Sequence, residues 1–444
     1  MYRKLYAFIL KRPLQNLLLI GITLRVLILI FYDGVTIFPD SKTYVELSSH
    51  ITNLDFNNYS GRRTPGFPLL ISLAGGSLYL TIIFQQVIGL LNIILIYDFS
   101  LNKILNKATA FWITLITSTF MHFIFYEFAI LTETLSLFLT ILTFWLIQKY
   151  NLLNSEGHIK YYIITSIVMG FLYLTRPMFI YFPVIFICFF LIKNYKSGLK
   201  KLITPIFIIA LFPAISFYTW CSLNKKNIGY FTSSYFIGYN LAQTATSFFE
   251  KVPDEDKEIR DIFLKHRSYI EENKTEDYPM TVWYAYPDLR EATKLSPHDL
   301  SHKLGEISKA LFKKYPHLYL RQVLVSWLDF WGTGSTFLVN KEKFKNVVPK
   351  YLVYGIWKII QQYLLILINI LFVIFSARRI FQFVKSKFNY FDLDLFLVLI
   401  VIGGSVAQAL VAYGNNSRFV FPFLPLIVYF VIVNLIELKQ KTQI

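Results

Sequence analysis

The sequence predicts an all-α integral membrane protein: a bundle of about ten transmembrane helices, with juxtamembrane helices and a mostly helical cap on the extracytoplasmic side. Three observations carry this reading. First, 55% of the residues are hydrophobic and only 16% are charged, too few polar groups to coat a soluble chain of 444 residues. Second, the apolar residues come in runs of about 18 or more, the length a helix needs to cross hydrocarbon. Third, lysines and arginines gather in the short loops between those runs, as the positive-inside rule requires. The net charge of +17 is therefore a matter of membrane orientation, and no nucleic-acid partner is expected.

Hydropathy places the spans near 14–32, 78–97, 108–126, 130–148, 161–175, 178–193, 202–221, 359–377, 395–413 and 419–437. The first run lacks a small-residue cleavage site and reads as a retained helix. Arg3, Lys4, Lys11 and Arg12 precede it, and Lys103 and Lys107 follow the second run. Lys149 and Lys160, then Lys193, Lys196, Lys200 and Lys201, then Arg378, Arg379, Lys385 and Lys387, and finally Lys439 and Lys441 all fall on one side. That predicts a multi-pass protein of the plasma (inner) membrane with both termini cytoplasmic. Cys188 and Cys221 lie in or at the end of apolar runs and suggest neither a disulfide framework nor a thiolate metal site.

The organisation follows. Residues 1–221 form an N-terminal bundle whose first outer loop, 33–77, holds the expected active site. Residues 222–350 form the cap, and 351–444 supply the C-terminal helices. In the cap, "HDLSHKLGEISKALFKKYP" carries Leu300, Leu304, Ile307 and Leu311 at helical spacing. In the outer loop, "SKTYVELSSHI" and "PGFPLLISLAGG" are helical in pattern but too short to span, which suits helices lying in the interface.

The polar residues that remain are few and placed at outer ends. Asp40 in "FPDSKTY" suits an N-cap, and equally a general base at the membrane surface. Lys42 and Tyr44 in the same stretch are further cavity candidates. Arg62 and Arg63 in "GRRTPGFPLL" sit on the side that orientation bias normally depletes. Arginine there can bind a lipid phosphate in bidentate fashion. Glu127 and Glu133 flank the turn "FYEFAILTE". Buried carboxylates in a membrane face a cavity or a partner, and Arg25 in the first span is such a partner. Arg176 and Arg418 lie at the outer ends of other spans and could ring the same cavity. His298 and His302 are four apart with Glu306 four further on, a spacing that could bind a metal; the sequence is not H-E-x-x-H, and histidines on a polar helix are usually just solvated. There is no Walker A or G-x-G-x-x-G motif and no plausible cytosolic domain for a nucleotide, which disfavours an ATP-driven or nucleotide-sugar-binding cytosolic enzyme.

Taken in order, "FPDSKTY", "RRTPGFP", "FQQVIGLLNIILIY", "LTETLSLFLTIL", "YLTRPMF", "NKKNIGYFTSSYFIGYNLA", "YPHLYLRQVL" and "NNSRFVFPFLP" resemble bacterial membrane glycosyltransferases of the GT-C fold. The resemblance is to the protein O-mannosyltransferase and aminoarabinose-transferase-like group and covers nearly the whole chain. It implies an inverting transfer of sugar from a polyprenyl-phosphate-linked donor on the face away from the cytosol. It also implies Asp40 as the acceptor-activating carboxylate, Tyr44 beside it, and Arg63 on the donor phosphate. Many relatives carry an acidic residue where Ser41 stands, and often an arginine where Thr43 stands. A divalent metal and the acceptor, whether glycan, lipid or protein, stay open. Two other readings share the hydropathy: a polysaccharide polymerase or ligase, and a non-enzymatic transporter of lipid-linked sugar. The carboxylate and arginines in the first outer loop favour the transferase.

Overall fold

The computed structural model describes residues 11–102, 106–273, 278–333, 339–414 and 416–441. Among them there is no strand, only two isolated bridges, Tyr32 with Phe344 and Thr36 with Ala129. The basic residues Arg3, Lys4 and Lys103 lie outside the described residues. Among the described residues, seven helices are long and apolar enough to cross a bilayer: Pro13–Phe31, Leu78–Leu101, Pro177–Asn194, Leu199–Ile228, Val347–Lys385, Leu393–Val411 and Asn416–Gln440. Every expected span position holds a helix, but three differ from an ordinary span. Glu133–Lys149 and Ile159–Thr175 have 17 residues each. The third span is broken into Lys107–Ser118 and Met121–Glu127, bent by 59°.

The break has an identifiable cause. Gln361 reaches across and accepts from Met121 N at 2.8 Å, while its amide donates to Thr119 O at 2.9 Å. Backbone groups freed inside a bilayer need such partners. Gln361 itself lies in a π-turn, Ile356–Gln361, within the long helix Val347–Lys385. A π-turn inserts an extra residue and re-aims its side chains.

The spans are unequally enclosed. The apolar windows of Leu393–Val411 and Asn416–Gln440 are 61% and 67% buried, against 17% for Pro13–Phe31. The last two helices are therefore central and the first is peripheral. Leu19, Ile22 and Ile30 on the first helix stay exposed, an apolar face that suits contact with lipid. At the end of the bundle away from the cap, Lys149 meets Asp98 at 3.3 Å, and Asp98 also accepts from Trp145 Nε1 at 2.6 Å.

The cap has its own apolar core. Leu300, Leu304, Ile307 and Leu311 are all buried in it, on the helix Pro297–Lys314 that their spacing predicts. The helix Ile237–Ala245 crosses it so closely at Gly238 that a side chain there would collide with the Ser301 carbonyl. Phe249 and Phe263 stack at 3.9 Å. The helix Leu199–Ile228 runs past residue 221 and ends at Gly229, whose φ of 82° suits glycine at a helix C-terminus. The helix Pro316–Phe330 bridges cap and bundle: Leu318 and Tyr319 pack on the cap core, with Tyr319 stacked on Phe312 at 4.1 Å, and the rest of the helix lies on the bundle. Tyr319 donates to Leu410 O at 2.8 Å, and Trp327 Nε1 donates to Ser405 Oγ at 3.0 Å.

Candidate active site

Two loops on the cap side are stitched together by backbone. Thr36 N donates to Phe128 O at 2.8 Å, and Ile130 N donates to Thr36 O at 3.1 Å. Gln85 supports this seam by donating to Ala129 O at 2.8 Å. The helix Pro39–Thr52 then starts on a proline, which suits a first helical turn. Phe38 occupies the N-cap position, and its N–H donates to Ser41 Oγ at 2.9 Å. Ser41 Oγ in turn donates to Ile130 O at 2.9 Å. Asp40 therefore does not cap the helix. It lies in the first turn, where the helix dipole favours a negative charge, and its carboxylate is turned to other partners.

Those partners form a continuous chain of charge. Arg63 Nη2 donates to Asp40 Oδ1 at 2.6 Å. Arg418 Nη1 lies 3.5 Å from Asp40 Oδ2, and Arg418 Nε donates to Glu133. Arg176 Nη2 donates to Glu133 Oε1 at 2.6 Å, and Arg176 Nε donates to Thr132 Oγ1 at 2.7 Å. The order is thus Arg63, Asp40, Arg418, Glu133, Arg176: three cations on two carboxylates. Glu133 is fully buried. Arg176 Nη1 and Glu133 Oε2 are buried with no hydrogen-bond partner among the described residues, so the chain has both an excess positive charge and an unused donor.

Local sequence explains how each arginine is aimed. Pro177 disfavours helical geometry in the residue before it. Arg176 accordingly leaves the helix Ile159–Thr175 in an extended conformation (φ −144°, ψ 113°). Arg63 is gripped from all sides. Its Nε donates to Thr43 Oγ1 at 2.8 Å, and its guanidinium lies 4.7 Å from the Tyr44 ring and 5.0 Å from the Phe236 ring. Its backbone N–H donates to Tyr59 Oη, which donates back to the Arg63 carbonyl. Gly66 lets this loop press against the end of Ile159–Thr175, because a Cβ there would stand 2.6 Å from Thr175 N. Arg418 sits on the 3-10 turn Asn416–Phe423, which Asn416 anchors by donating to Ser326 O and Asp329.

Asp40 is the exposed link, with 40% of its side chain accessible. Burial alone would raise its pKa. Arg63, Arg418 and Arg176 outweigh that and hold the carboxyl below its ordinary value. It is ionised at neutral pH and open to a ligand.

Of the residues expected from sequence, Asp40, Arg63, Arg176, Arg418, Glu133 and Tyr44 come together. Glu127 does not join them. It forms a buried ion pair with Arg25 in the first span, admitted by Gly89, where a side chain would strike the carboxylate. The partner reading of Glu127 is the one the geometry supports. Lys42 points away, exposed on the opposite face of its helix. Arg62 stands beside the cluster, donating to Tyr235 Oη at 2.8 Å with Glu46 3.7 Å away. Thr43, Thr132 and Phe236 lie within the quoted motifs, but neither they nor Tyr59 are expected from sequence as contact residues. His302 stacks on Tyr230 at 4.7 Å. Among the described residues no three His, Cys, Asp or Glu converge on one point. Two carboxylates already shared by three guanidiniums are poor ligands for a divalent cation, so no step is assigned to one.

No protein-family model and no curated protein matches the chain. Solved structures do align with it. One is the archaeal oligosaccharyltransferase AglB from Archaeoglobus fulgidus in complex with an inhibitory peptide and a dolichol-phosphate. That alignment covers 98% of this chain and 52% of the other, at 11% identity and a TM-score of 0.46, so the chain spans about half the length of AglB. Another is ArnT from Cupriavidus metallidurans in the apo state, with 97% and 78% coverage, 10% identity and a TM-score of 0.36. ArnT bound to undecaprenyl phosphate aligns over 93% and 77%, at 9% identity and the same score. AglB and ArnT are GT-C-fold membrane glycosyltransferases, the group that the ordered motifs resemble. Identities of 9–11% carry no residue role from one chain to the other.

Proposed function

We propose that the protein is an inverting glycosyltransferase that moves a sugar from a polyprenyl-phosphate-linked donor to an acceptor hydroxyl on the extracytoplasmic face. The observation that carries this reading is the chain Arg63–Asp40–Arg418–Glu133–Arg176 at the cap-side ends of the membrane helices. A lipid-anchored phosphate stays at headgroup depth before and after the reaction. Arginines fixed at that depth can receive the charge that develops on it. Arg176 Nη1, buried and without a hydrogen-bond partner among the described residues, is a donor held ready for it.

The step balances as a single displacement. The acceptor oxygen attacks the anomeric carbon opposite the phosphate. Its proton passes to Asp40 as the new C–O bond forms. The bond from the anomeric carbon to the phosphate oxygen breaks, and its electron pair leaves with the polyprenyl phosphate. Preorganised guanidiniums stabilise that anion without reorganisation, usually the largest electrostatic contribution to such catalysis. Asp40, held below the ordinary carboxyl range by the same arginines, is a weak base in the free enzyme. A donor phosphate that draws Arg63 and Arg418 toward itself relieves that hold and makes Asp40 more basic when the acceptor is present.

The test is purified full-length protein in lipid nanodiscs with a radiolabelled polyprenyl-phosphate sugar and candidate acceptors. Release of polyprenyl phosphate together with labelled acceptor supports the transferase. Donor binding with no chemistry, and movement of intact donor between leaflets in vesicles, would instead make the protein a transporter.

A further inference from the structure

Beside the charged chain, the loop 33–77 and the cap enclose a cleft of about 310 Å3. That is at the small end of the ~300–1,000 Å3 typical of small-molecule sites. Asn58, Tyr59, Ser60 and Arg62 line it from the loop, and Asn227, Ile228, Tyr235, Pro297 and His298 line it from the other wall, a mixture of polar and apolar surface. Ser60 Oγ is buried without a hydrogen-bond partner among the described residues. Arg62 keeps 35% of its side chain exposed, with Tyr235 Oη accepting from Nε at 2.8 Å and Glu46 3.7 Å from Nη1 among the described residues. The two walls are tied together. Asn227 Nδ2 donates to Phe56 O at 2.8 Å, and Ser234 Oγ donates to Arg62 O at 2.6 Å. The cleft also adjoins the charged chain on both walls. Arg62 precedes Arg63, and Tyr235 precedes Phe236, whose ring packs on the Arg63 guanidinium.

We propose that this cleft is the acceptor site and that the acceptor it takes is a carbohydrate. The proposal rests on the glycosyl-transfer reading above. A sugar chain presents closely spaced hydroxyls that both donate and accept. It is matched by carboxamides, a free hydroxyl, a guanidinium and an imidazole set beside a tyrosine face. An acyl chain needs a continuous apolar wall, and here Asn58, Ser60 and Arg62 on one wall and Asn227 and His298 on the other interrupt the apolar surface of Ile228 and Pro297. An extended peptide is commonly held by pairing with a sheet edge, and the described residues contain no strand.

The experiment uses full-length protein in detergent on an oligosaccharide microarray, with fluorescent polyprenyl phosphate binding measured in parallel. Wild type is expected to retain a defined set of glycans. His298→Ala and Tyr235→Phe should each weaken that retention about tenfold, roughly the worth of one directed contact, with polyprenyl phosphate binding unchanged. Asn58→Trp, which fills the cleft, should abolish glycan retention, again without loss of the lipid phosphate. The unchanged lipid binding also shows that each variant is folded. Retention of no glycan, or glycan retention indifferent to all three substitutions, overturns the proposal. So does retention of an unmodified peptide or a neutral lipid vesicle in place of glycans. If wild type fails to bind polyprenyl phosphate, the transferase reading fails first, and that result is read separately.

Discussion

Asp40 and Arg63 meet at 2.6 Å, yet they are expected to fail differently when changed. Asp40→Asn removes the proposed base and keeps the shape. Turnover should fall about 10²–10⁴-fold, while polyprenyl phosphate binding persists. Wild-type turnover in that variant would leave Asp40 as a structural partner only. The pH behaviour follows from the direction of its shift. The folded pKa lies below the unfolded value of about 3.9. Its ion pairs therefore stabilise the fold fully above about pH 4, and that contribution is lost as pH falls through the folded value. In the free enzyme the acid limb of kcat/KM should accordingly lie below the ordinary carboxyl range. Arg63→Ala should cost about 10- to 100-fold in kcat/KM for the donor, the worth of a charged hydrogen bond. Arg63→Lys should recover only part, because one ammonium cannot serve Asp40 and Thr43 together. Equal activity of Lys and wild type would reduce Arg63 to a point charge. Glu133→Gln is a stability experiment. It strands two guanidiniums that share a fully buried carboxylate, and breaking a buried pair typically costs about 3–5 kcal/mol. A melting temperature in detergent equal to that of wild type would show that Arg176 and Arg418 find other partners.

The elements matter through how closely they approach. The loop carrying Arg63 is held against the helix Ile159–Thr175 because Gly66 has no side chain. Gly66→Ala should therefore displace the loop, costing about 1–3 kcal/mol as overpacking does, and reduce turnover through Arg63 without touching any charged residue. Gly355→Ala is the matched control. It sits in helical conformation with open space around it, where alanine is favoured by ~0.5–1 kcal/mol. Activity lost equally in both would mean that the Gly66 contact has no special part in aiming Arg63. The same scale explains where sequence reading fell short. Hydropathy treats 108–126 as one span, and the chain breaks there because Gln361, far along the sequence, supplies the hydrogen bonds that a break needs. No local pattern can announce a partner 240 residues away.

For the whole molecule, orientation is the quantity on which the proposed reaction depends. The basic loops and the Asp40 cluster lie at opposite ends of the bundle. Single cysteines at Asn57 and Glu272, both exposed, should label with an impermeant thiol reagent in intact cells. The background for this is Cys188→Ala with Cys221→Ala. A cysteine at Lys196, also exposed, should label only after permeabilisation. The reverse pattern would put the arginines in the cytosol and deprive them of a donor on the outer face.

Composition and the positions of apolar runs were enough to determine a multi-pass helical bundle with a helical cap, because hydrocarbon admits few other ways to satisfy the backbone. The apolar spacing of Leu300, Leu304, Ile307 and Leu311 likewise determined the buried face of its helix. Sequence also named five of the charged residues that meet, since each is an ionisable group at the end of an apolar run and such groups are costly to keep there without use. It could not sort Glu127 from Glu133. The two are six residues apart in one turn and chemically alike, yet one faces Arg25 through the gap at Gly89 and the other faces Arg176 and Arg418. Nor could it find Thr43, Tyr59, Thr132 or Phe236, whose part is to aim an arginine and not to carry charge. Those assignments belong to the tertiary structure alone, because a buried charge takes its partner from whichever helix packs beside it, and that is settled by the shapes of the apolar faces and not by neighbours in sequence.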